Sequence, residues 1–440
     1  MSAPARLAPT TFKTSRLLDF ASEKELIAQT GHRTCDWPLV ILKELTDNAI
    51  DACEEAGVTP EITVTVDESG ITVADNGPGL PAETVKGVLD FAVRVSSREA
   101  YVSPARGAQG NALKTIVALP FVLDGTQGGV EIEARGTRHA ITFGVDRIRQ
   151  EPVIDLVQKG SDVRTGTVVR VLWPESACSI LTEAKTRFLQ IADDYVWLNP
   201  HVTIALDWFG ARHAVSATDA AWAKWKPSDP TSAHWYTPHH LERLVAGYVA
   251  LDADLGRDRT VRELIAEFRG LAGTAKQKVV LGATGLSRAP LSQLIKDKAI
   301  DRDRVERLLT AMKANSSPVK PAMLGIIGKE HFRARFAAAG CEMESFDYRK
   351  VTEVEDHIPW VMEAAFGWCP NAGGRRLVTG VNWSPGIINP FRDLGRFGMS
   401  LDTILSRQRA DRDEPVILVL HIACPSVEYT DRGKSAVVIS

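Results

Sequence analysis

The stretch KELTDNAIDA, Lys43 to Ala52, sets four polar side chains, Glu44, Asp47, Asn48 and Asp51, inside a run of ordinary helix formers. Around it Leu39, Leu42, Leu45, Ala49 and Ala52 recur at helical spacing, and Gly57 with Pro60 closes the element. Pro38 to Glu55 therefore reads as an amphipathic helix whose apolar stripe faces a core. Glu44 and Asn48, four residues apart, share one face a turn above each other. A carboxylate there can polarise a water for attack, and an amide oxygen is a hard neutral ligand for Mg2+. Taken alone, the pair is more often a solvated surface feature.

Downstream, EITVTVD and GITVADNGPG are two alternating, β-branched runs divided by a short turn, the pattern of an antiparallel hairpin. Its second strand ends at Asp75, and Gly77 and Gly79 let backbone approach a planar ligand closely. By itself DNGPG is an ordinary turn. A helical stretch is expected from Ala82 to Ala92. RVSSREAYVSPARGAQGNALKTIVALPFVL then turns from polar to apolar, a loop feeding a helix near Asn111. Gly107 and Gly110 stand just before that helix start, where free N–H groups and the helix dipole favour phosphate oxygens, and Lys114 adds a point charge. Thr167 in TGTVVRV supplies a fourth element; four such signals in order are hard to obtain by accident. Further strands are expected at VEIEAR, HAITFGV, GTVVRVLWP and HVTIALDWFG, giving an α+β architecture rather than a βαβ repeat.

The chain has 440 residues, enough for two to four domains, and a net charge of -3, so nucleic-acid contact requires a local patch. One exists between Val261 and Lys320, where twelve Lys/Arg stand against six Asp/Glu. Proline, serine and tryptophan replace periodicity from Ala217 to Pro238, marking a boundary, and amphipathic helices follow at Val261 to Phe268 and in DRDRVERLLTAMKA. Beyond Gly325 an apolar helix is expected at IPWVMEAAFGW and strands at RLVTGVN and PVILVLHIA. The six cysteines form no CxxC pair, which favours free thiols over a disulfide framework or metal site. With no apolar signal core near the N-terminus and no run of about 18 apolar residues, the expected location is cytoplasmic and not membranous.

These residues resemble the GHKL ATPases and, within them, the B subunits of DNA topoisomerase VI. ELTDNAIDACEEAG looks like the N box, VADNGPGLP the adenine-contacting box, SSREAYVSPARGAQGNALK the phosphate lid, and Gly166-Thr167 the closing threonine motif. FRGLAGTAKQKVVL and the helices to Lys320 are similar to a helix-two-turn-helix domain, and VLHIACPSVEYTDRGKSAVV to the end of a transducer domain. The resemblance implies a GHKL (Bergerat) ATP-binding domain with an N-terminal strap over 1–222, a small helical domain over 223–324 and a transducer-like domain over 325–440. It implies ATP and Mg2+ as cofactors, with Glu44 as general base, Asn48 as metal ligand, Asp75 on the adenine amine, and Gly77 and Gly79 beneath the base. Ser96, Ser97, Gly107, Gln109, Gly110, Asn111, Ala112 and Lys114 would line the lid and triphosphate, Thr167 would support the adenine end, and Lys434 would reach the γ-phosphate.

The implied activity is that of an ATP-dependent dimerising clamp, its strap drawn from Thr11 to Phe20, acting on double-stranded DNA with a separate topoisomerase VI A-like cleavage subunit. The lid reads Gly110-Asn111-Ala112 where the family often has a third glycine. The chain also stops six residues after Lys434, short of the extension that docks the cleavage subunit. The alternative is a nucleotide-dependent regulatory or recruitment module without strand passage.

Overall fold

The computed structural model describes residues 20–89, 100–106, 112–146, 148, 151–297, 299–392, 399–429 and 436–437. After α1 (Glu23–Thr30) comes α2 (Trp37–Ala56), the helix that carries the quoted stretch. Pro38 sits in its first turn, where a missing N–H costs nothing, and Gly57 ends it at φ 68°, returning its N–H to the Cys53 and Glu54 carbonyls. Leu39, Leu42, Leu45 and Ala49 are buried as their spacing predicts.

The hairpin β1 (Glu61–Asp67) and β2 (Gly70–Ala74) is antiparallel, with Val64 opposite Val73. There follow α3 (Ala82–Val88), α4 (Ala112–Asp124), β3 (Gly128–Ala134), β4 (Thr137–Asp146), β5 (Glu151–Gly160), β6 (Thr167–Leu172), α5 (Cys178–Leu198), β7 (Thr203–Trp208) and β8 (Ala211–Val215). The strands form one eight-stranded sheet in the order β5-β4-β3-β6-β2-β1-β7-β8, antiparallel except where β1 meets β7. Alternate residues of β1, β3 and β7 are buried, and α2, α4 and α5 pack against the sheet. The result is a two-layer sandwich in which β2 and β6, side by side at its centre, run antiparallel. Asp75 at the end of β2 thereby lies beside Thr167 at the start of β6.

A connecting segment leads to α6 (Pro238–Asp254), α7 (Val261–Ala266), α8 (Thr274–Thr284), the small hairpin β9 (Ile295–Lys296) and β10 (Ala299–Ile300), and α9 (Arg302–Ala314). A reciprocal capping box of Thr260 and Glu263 starts α7. The C-terminal part contains α10 (Lys329–Ala338), β11 (Asp347–Glu355), β12 (Ile358–Trp368), β13 (Arg376–Val381), β14 (Ser384–Pro385), α11 (Leu401–Arg407) and β15 (Val416–Ala423). Its sheet runs β11-β12-β15-β13-β14 and is docked on α5. Arg187 donates to the Gly386 and Ile387 carbonyls, and Arg376 pairs with Asp193 and Asp194 at 2.6 and 2.7 Å.

Three sequence expectations are corrected. IPWVMEAAFGW is not a helix but β12: Pro359, Val361, Glu363, Ala365 and Gly367 are buried while their neighbours are partly exposed, a period of two. Asp356 and His357, both at positive φ (47° and 69°), form the two-residue hairpin turn that feeds it. Cys341 and Cys369 are joined as a disulfide, and only Cys35, Cys53, Cys178 and Cys424 are free. The pair is brought together because the chain after α10 returns to the end of β12, where Glu342 N–H bonds the Trp368 carbonyl at 2.8 Å. The helix expected from Ala82 to Ala92 ends at Val88 within the described residues. No helix among the described residues is long and apolar enough to cross a membrane.

Candidate functional site

The four polar residues of α2 divide by burial. Asn48 is exposed and Glu44 half-buried, whereas Asp47 is 4% exposed and Asp51 partly buried. At about 100° per residue, Glu44 and Asn48 occupy one edge of the polar sector, and Asp47 and Glu54 the other. Only the first edge is open to a ligand.

At the end of β2, the Asp75 carboxylate accepts the N–H of Gly77 at 2.8 Å and the N–H of Thr167 at 3.2 Å. Asp75 N–H in turn donates to the Thr167 carbonyl at 3.0 Å, Gly166 N–H to the Gly77 carbonyl at 2.8 Å, and Leu80 N–H to the Thr167 hydroxyl at 3.2 Å. The DNGPG turn and the Gly166-Thr167 step therefore form one clasp. Gly166 adopts φ 73°, and a Cβ there would meet the Asp75 carbonyl at 1.8 Å; Gly79, at φ 77°, would meet Arg135 Cγ and the Gly166 carbonyl, each at 3.0 Å. Both positions require glycine. Burial pushes the Asp75 carboxyl up from its ordinary value, opposed by the two N–H donors.

Lys114 lies in the first turn of α4 and is buried. Ala112 is the first residue of α4. Ser96, Ser97, Gly107, Gln109, Gly110, Asn111 and Lys434 lie outside the described residues, as does all of the expected strap but Phe20. No cluster of three or more His, Cys, Asp or Glu suited to a metal exists among the described residues. A single neutral amide at Asn48 fits Mg2+ only where phosphate oxygens and water complete the octahedron.

The second edge of α2 carries a buried ionic cluster that sequence spacing did not single out. Arg106, its side chain wholly buried, donates to Asp51 at 2.5 Å, to both oxygens of Glu54 at 3.1 and 3.0 Å, and to Asn199 at 2.5 Å. Lys224 pairs with Glu54 at 2.8 Å, and His201 hydrogen-bonds it at 2.9 Å. Lys43 pairs with Asp47 at 2.7 Å. Burial alone would raise the Glu54 carboxyl, but the Arg106 and Lys224 charges outweigh it and hold Glu54 well below the carboxylate range. Burial lowers Lys224 and His201. Arg106 was visible in the sequence only as one cation before a glycine; its partners come from positions up to 93 residues away.

Residues 36–176, from the start of α2 to just past β6, match the family model described as Histidine kinase-, DNA gyrase B-, and HSP90-like ATPase. The chain is 29% identical over 175 residues to the B subunit of type 2 DNA topoisomerase 6 from Archaeoglobus fulgidus, covering 38% of this chain and 28% of that protein. It is 24% identical over 430 residues to the corresponding B subunit of type 2 DNA topoisomerase 6 from Saccharolobus islandicus, covering 90% of this chain and 74% of the relative. A solved structure of the N-terminal domain of a DNA repair protein covers 94% of this chain and 92% of its own with TM-score 0.42 and 9% identity, a likeness too slight to carry an argument. The chain thus contains a GHKL-type ATPase domain and resembles topoisomerase VI B subunits over most of its length.

Proposed function

We propose that this chain is an ATP-operated clamp of the topoisomerase VI B type, which binds ATP between α2 and the segment leading into α4 and hydrolyses it to drive work on double-stranded DNA. The observation that carries the reading is the Asp75 clasp, which sets a half-buried carboxylate at the end of β2 beside Thr167. A carboxylate so placed accepts from the exocyclic amine of adenine, and the cramped glycines Gly77 and Gly79 let the base lie against backbone. Thr167 supports the same end of the base. Gly107, Gly110 and Lys114 would serve the phosphates.

Glu44 is the general base in this reading. It orients a water whose oxygen attacks the γ-phosphorus as the bond to the ADP oxygen breaks, and its carboxylate takes the water's proton. Asn48 holds Mg2+, which would offset phosphate charge when bound. Lys434 approaches the γ-phosphate from the C-terminal domain. The domain division 1–222, 223–324 and 325–440 belongs to the same proposal, as do closure of two copies upon ATP and service of a separate A-like cleavage subunit. Titration calorimetry of the purified chain with ATP and Mg2+ tests the core of it: saturable heat of binding is expected, lost in Asp75→Asn, where an NH2 group can replace the acceptor facing the adenine amine. Absence of heat with the wild-type chain overturns the reading.

A further inference from the structure

The ionic cluster on the second edge of α2 joins parts of the chain that lie far apart in sequence. Three carboxylates, Asp47, Asp51 and Glu54, meet three cations, Lys43, Arg106 and Lys224. Breaking such a buried pair is costly, but an apolar replacement of the whole is often as stable, so stability alone is a poor reason for building one. Its connections are more informative. Arg106 is the residue immediately before the glycine-bearing loop, and its stem is pinned to the connecting segment: Val102 N–H donates to the Tyr236 hydroxyl at 2.9 Å, and Thr231 donates to the Val102 carbonyl at 2.6 Å.

At the other end of the cluster stands Ser384, on β14 of the C-terminal sheet. Its hydroxyl donates to Asp47 Oδ2 at 2.7 Å and accepts from Lys43 Nζ. Asp47 Oδ1 accepts from the Tyr195 hydroxyl at 2.9 Å and faces Arg106 Nε at 3.9 Å, too far for a hydrogen bond. Arg106 Nε is buried and has no hydrogen-bond partner among the described residues. An unpaired buried donor is unfavourable, and here an acceptor stands about one ångström out of reach. Turning the carboxylate to close that gap draws Oδ2 away from Ser384. In the structure Asp47 Oδ2 is held by Ser384 and by Lys43 Nζ, each at 2.7 Å, with Arg106 Nε open; the alternative is an Asp47 released from the sheet with Nε closed. Such an alternative is what two coupled sites require.

We propose that Asp47 is a positioning residue through which Ser384 of the C-terminal sheet sets Arg106, and with it the stem of the phosphate-facing loop, so that domain position and nucleotide affinity are linked by a route separate from Lys434. This link rests on the ATP-clamp reading. Neither Asp47 nor Ser384 touches the open edge of α2 that faces the nucleotide.

The test compares wild type, Ser384→Ala and Ser384→Thr by calorimetry with a non-hydrolysable ATP analogue and Mg2+, and by hydrogen exchange of residues 100–106 without nucleotide. Ser384→Ala removes the C-terminal sheet's hold on Asp47, leaving those of Lys43 and Tyr195, and lets the carboxylate turn toward Arg106, so exchange at 102–106 slows and the Kd for the analogue shifts, each by at least about threefold, with Ser384→Thr restoring both. Tyr195→Phe, which frees Oδ1 while leaving the Ser384 hydroxyl on Asp47 Oδ2, though it also removes the tyrosine hydroxyl that meets Ser384 and the Lys43 carbonyl, is expected to act in the same direction and carries the test if Ser384→Ala does not fold. If wild type binds the analogue and the variant matches it in both measurements, the link is overturned while the ATP reading stands. If wild type binds no nucleotide, the ATP reading falls and the link falls with it.

Discussion

The carboxylate of Asp75 accepts the backbone N–H of Thr167 at 3.2 Å across 92 residues of chain. The contact exists because β2 and β6 are neighbours in the sheet, and it is closed from behind by Gly166, where a Cβ would collide with the Asp75 carbonyl at 1.8 Å. Gly166→Ala is therefore expected to destabilise the chain by roughly 2–4 kcal/mol, combining a positive-φ penalty with a backbone clash. Urea unfolding midpoints would read this. A variant as stable as wild type would mean that the clasp is not formed as described.

Glu44 sits half-buried on the open edge of α2, acting on the cluster through its charge on the neighbouring Lys43, so its removal should leave the fold intact. Glu44→Ala is expected to bind ATP with Kd within about threefold of wild type while losing on the order of 10²-fold or more in turnover, the usual worth of a positioned base. Steady-state phosphate release, set beside calorimetry on the same sample, separates the two. Equal turnover in the variant removes Glu44 from the role.

How far the sequence carried the fold depended on whether a local pattern was enough. α2, the β1–β2 hairpin, and β3, β4, β6 and β7 were all legible, because each is a clean period with its own start and stop residues. β12 was not. Its run IPWVMEAAFGW is apolar almost throughout, so period two and period 3.6 fit it alike, and the deciding feature is Glu363, fully buried where it accepts the Ile327 and Gly328 N–H groups and the Tyr348 hydroxyl. Asp75 and Thr167 were readable as members of motifs. Their mutual contact and the Arg106 cluster were not, since the first depends on strand order and the second on residues brought together from distant parts of the chain, which no local spacing encodes.

His421 predicts a pH dependence whose sign follows from its role as an acceptor. Its Nε2 accepts the Trp383 N–H at 3.1 Å, which needs the neutral ring, and burial, with Arg106 adding repulsion, pushes it down to about 3. His331 is likewise pushed down to about 4 by burial. Both folded values lie below the unfolded value near 6.5, so their contribution is complete above that pH and is lost as pH falls through it, by about 1.4 kcal/mol per unit per histidine. Asp194 works the other way: burial raises it to about 6 despite Arg376, so acidification between 6 and 4 relieves a penalty. The clean observable is therefore the difference between His421→Gln and wild type, in which Asp194 cancels. From pH 7 to pH 5 the variant should lose about 2 kcal/mol less than wild type in urea unfolding. Parallel losses would show that His421 is protonated in the fold.

The helical segment offers the one place where the DNA part of the proposal can be separated from a purely regulatory role. α8 turns Lys276, Lys278 and Val279 outward, Val279 with 56% of its surface exposed. Neither lysine is part of an ion pair among the described residues, so their replacement removes charge without breaking a packed contact. Duplex binding through this face would release counterions, and each phosphate contact contributes about 0.9 to the slope of log affinity against log salt. Lys276→Ala with Lys278→Ala is expected to weaken binding to unrelated duplexes alike and to flatten that slope by about 2, with ATP binding unchanged. A slope that does not move places any DNA contact elsewhere on the chain, and a wild-type chain that binds no duplex at low salt favours the nucleotide-dependent regulator over the clamp.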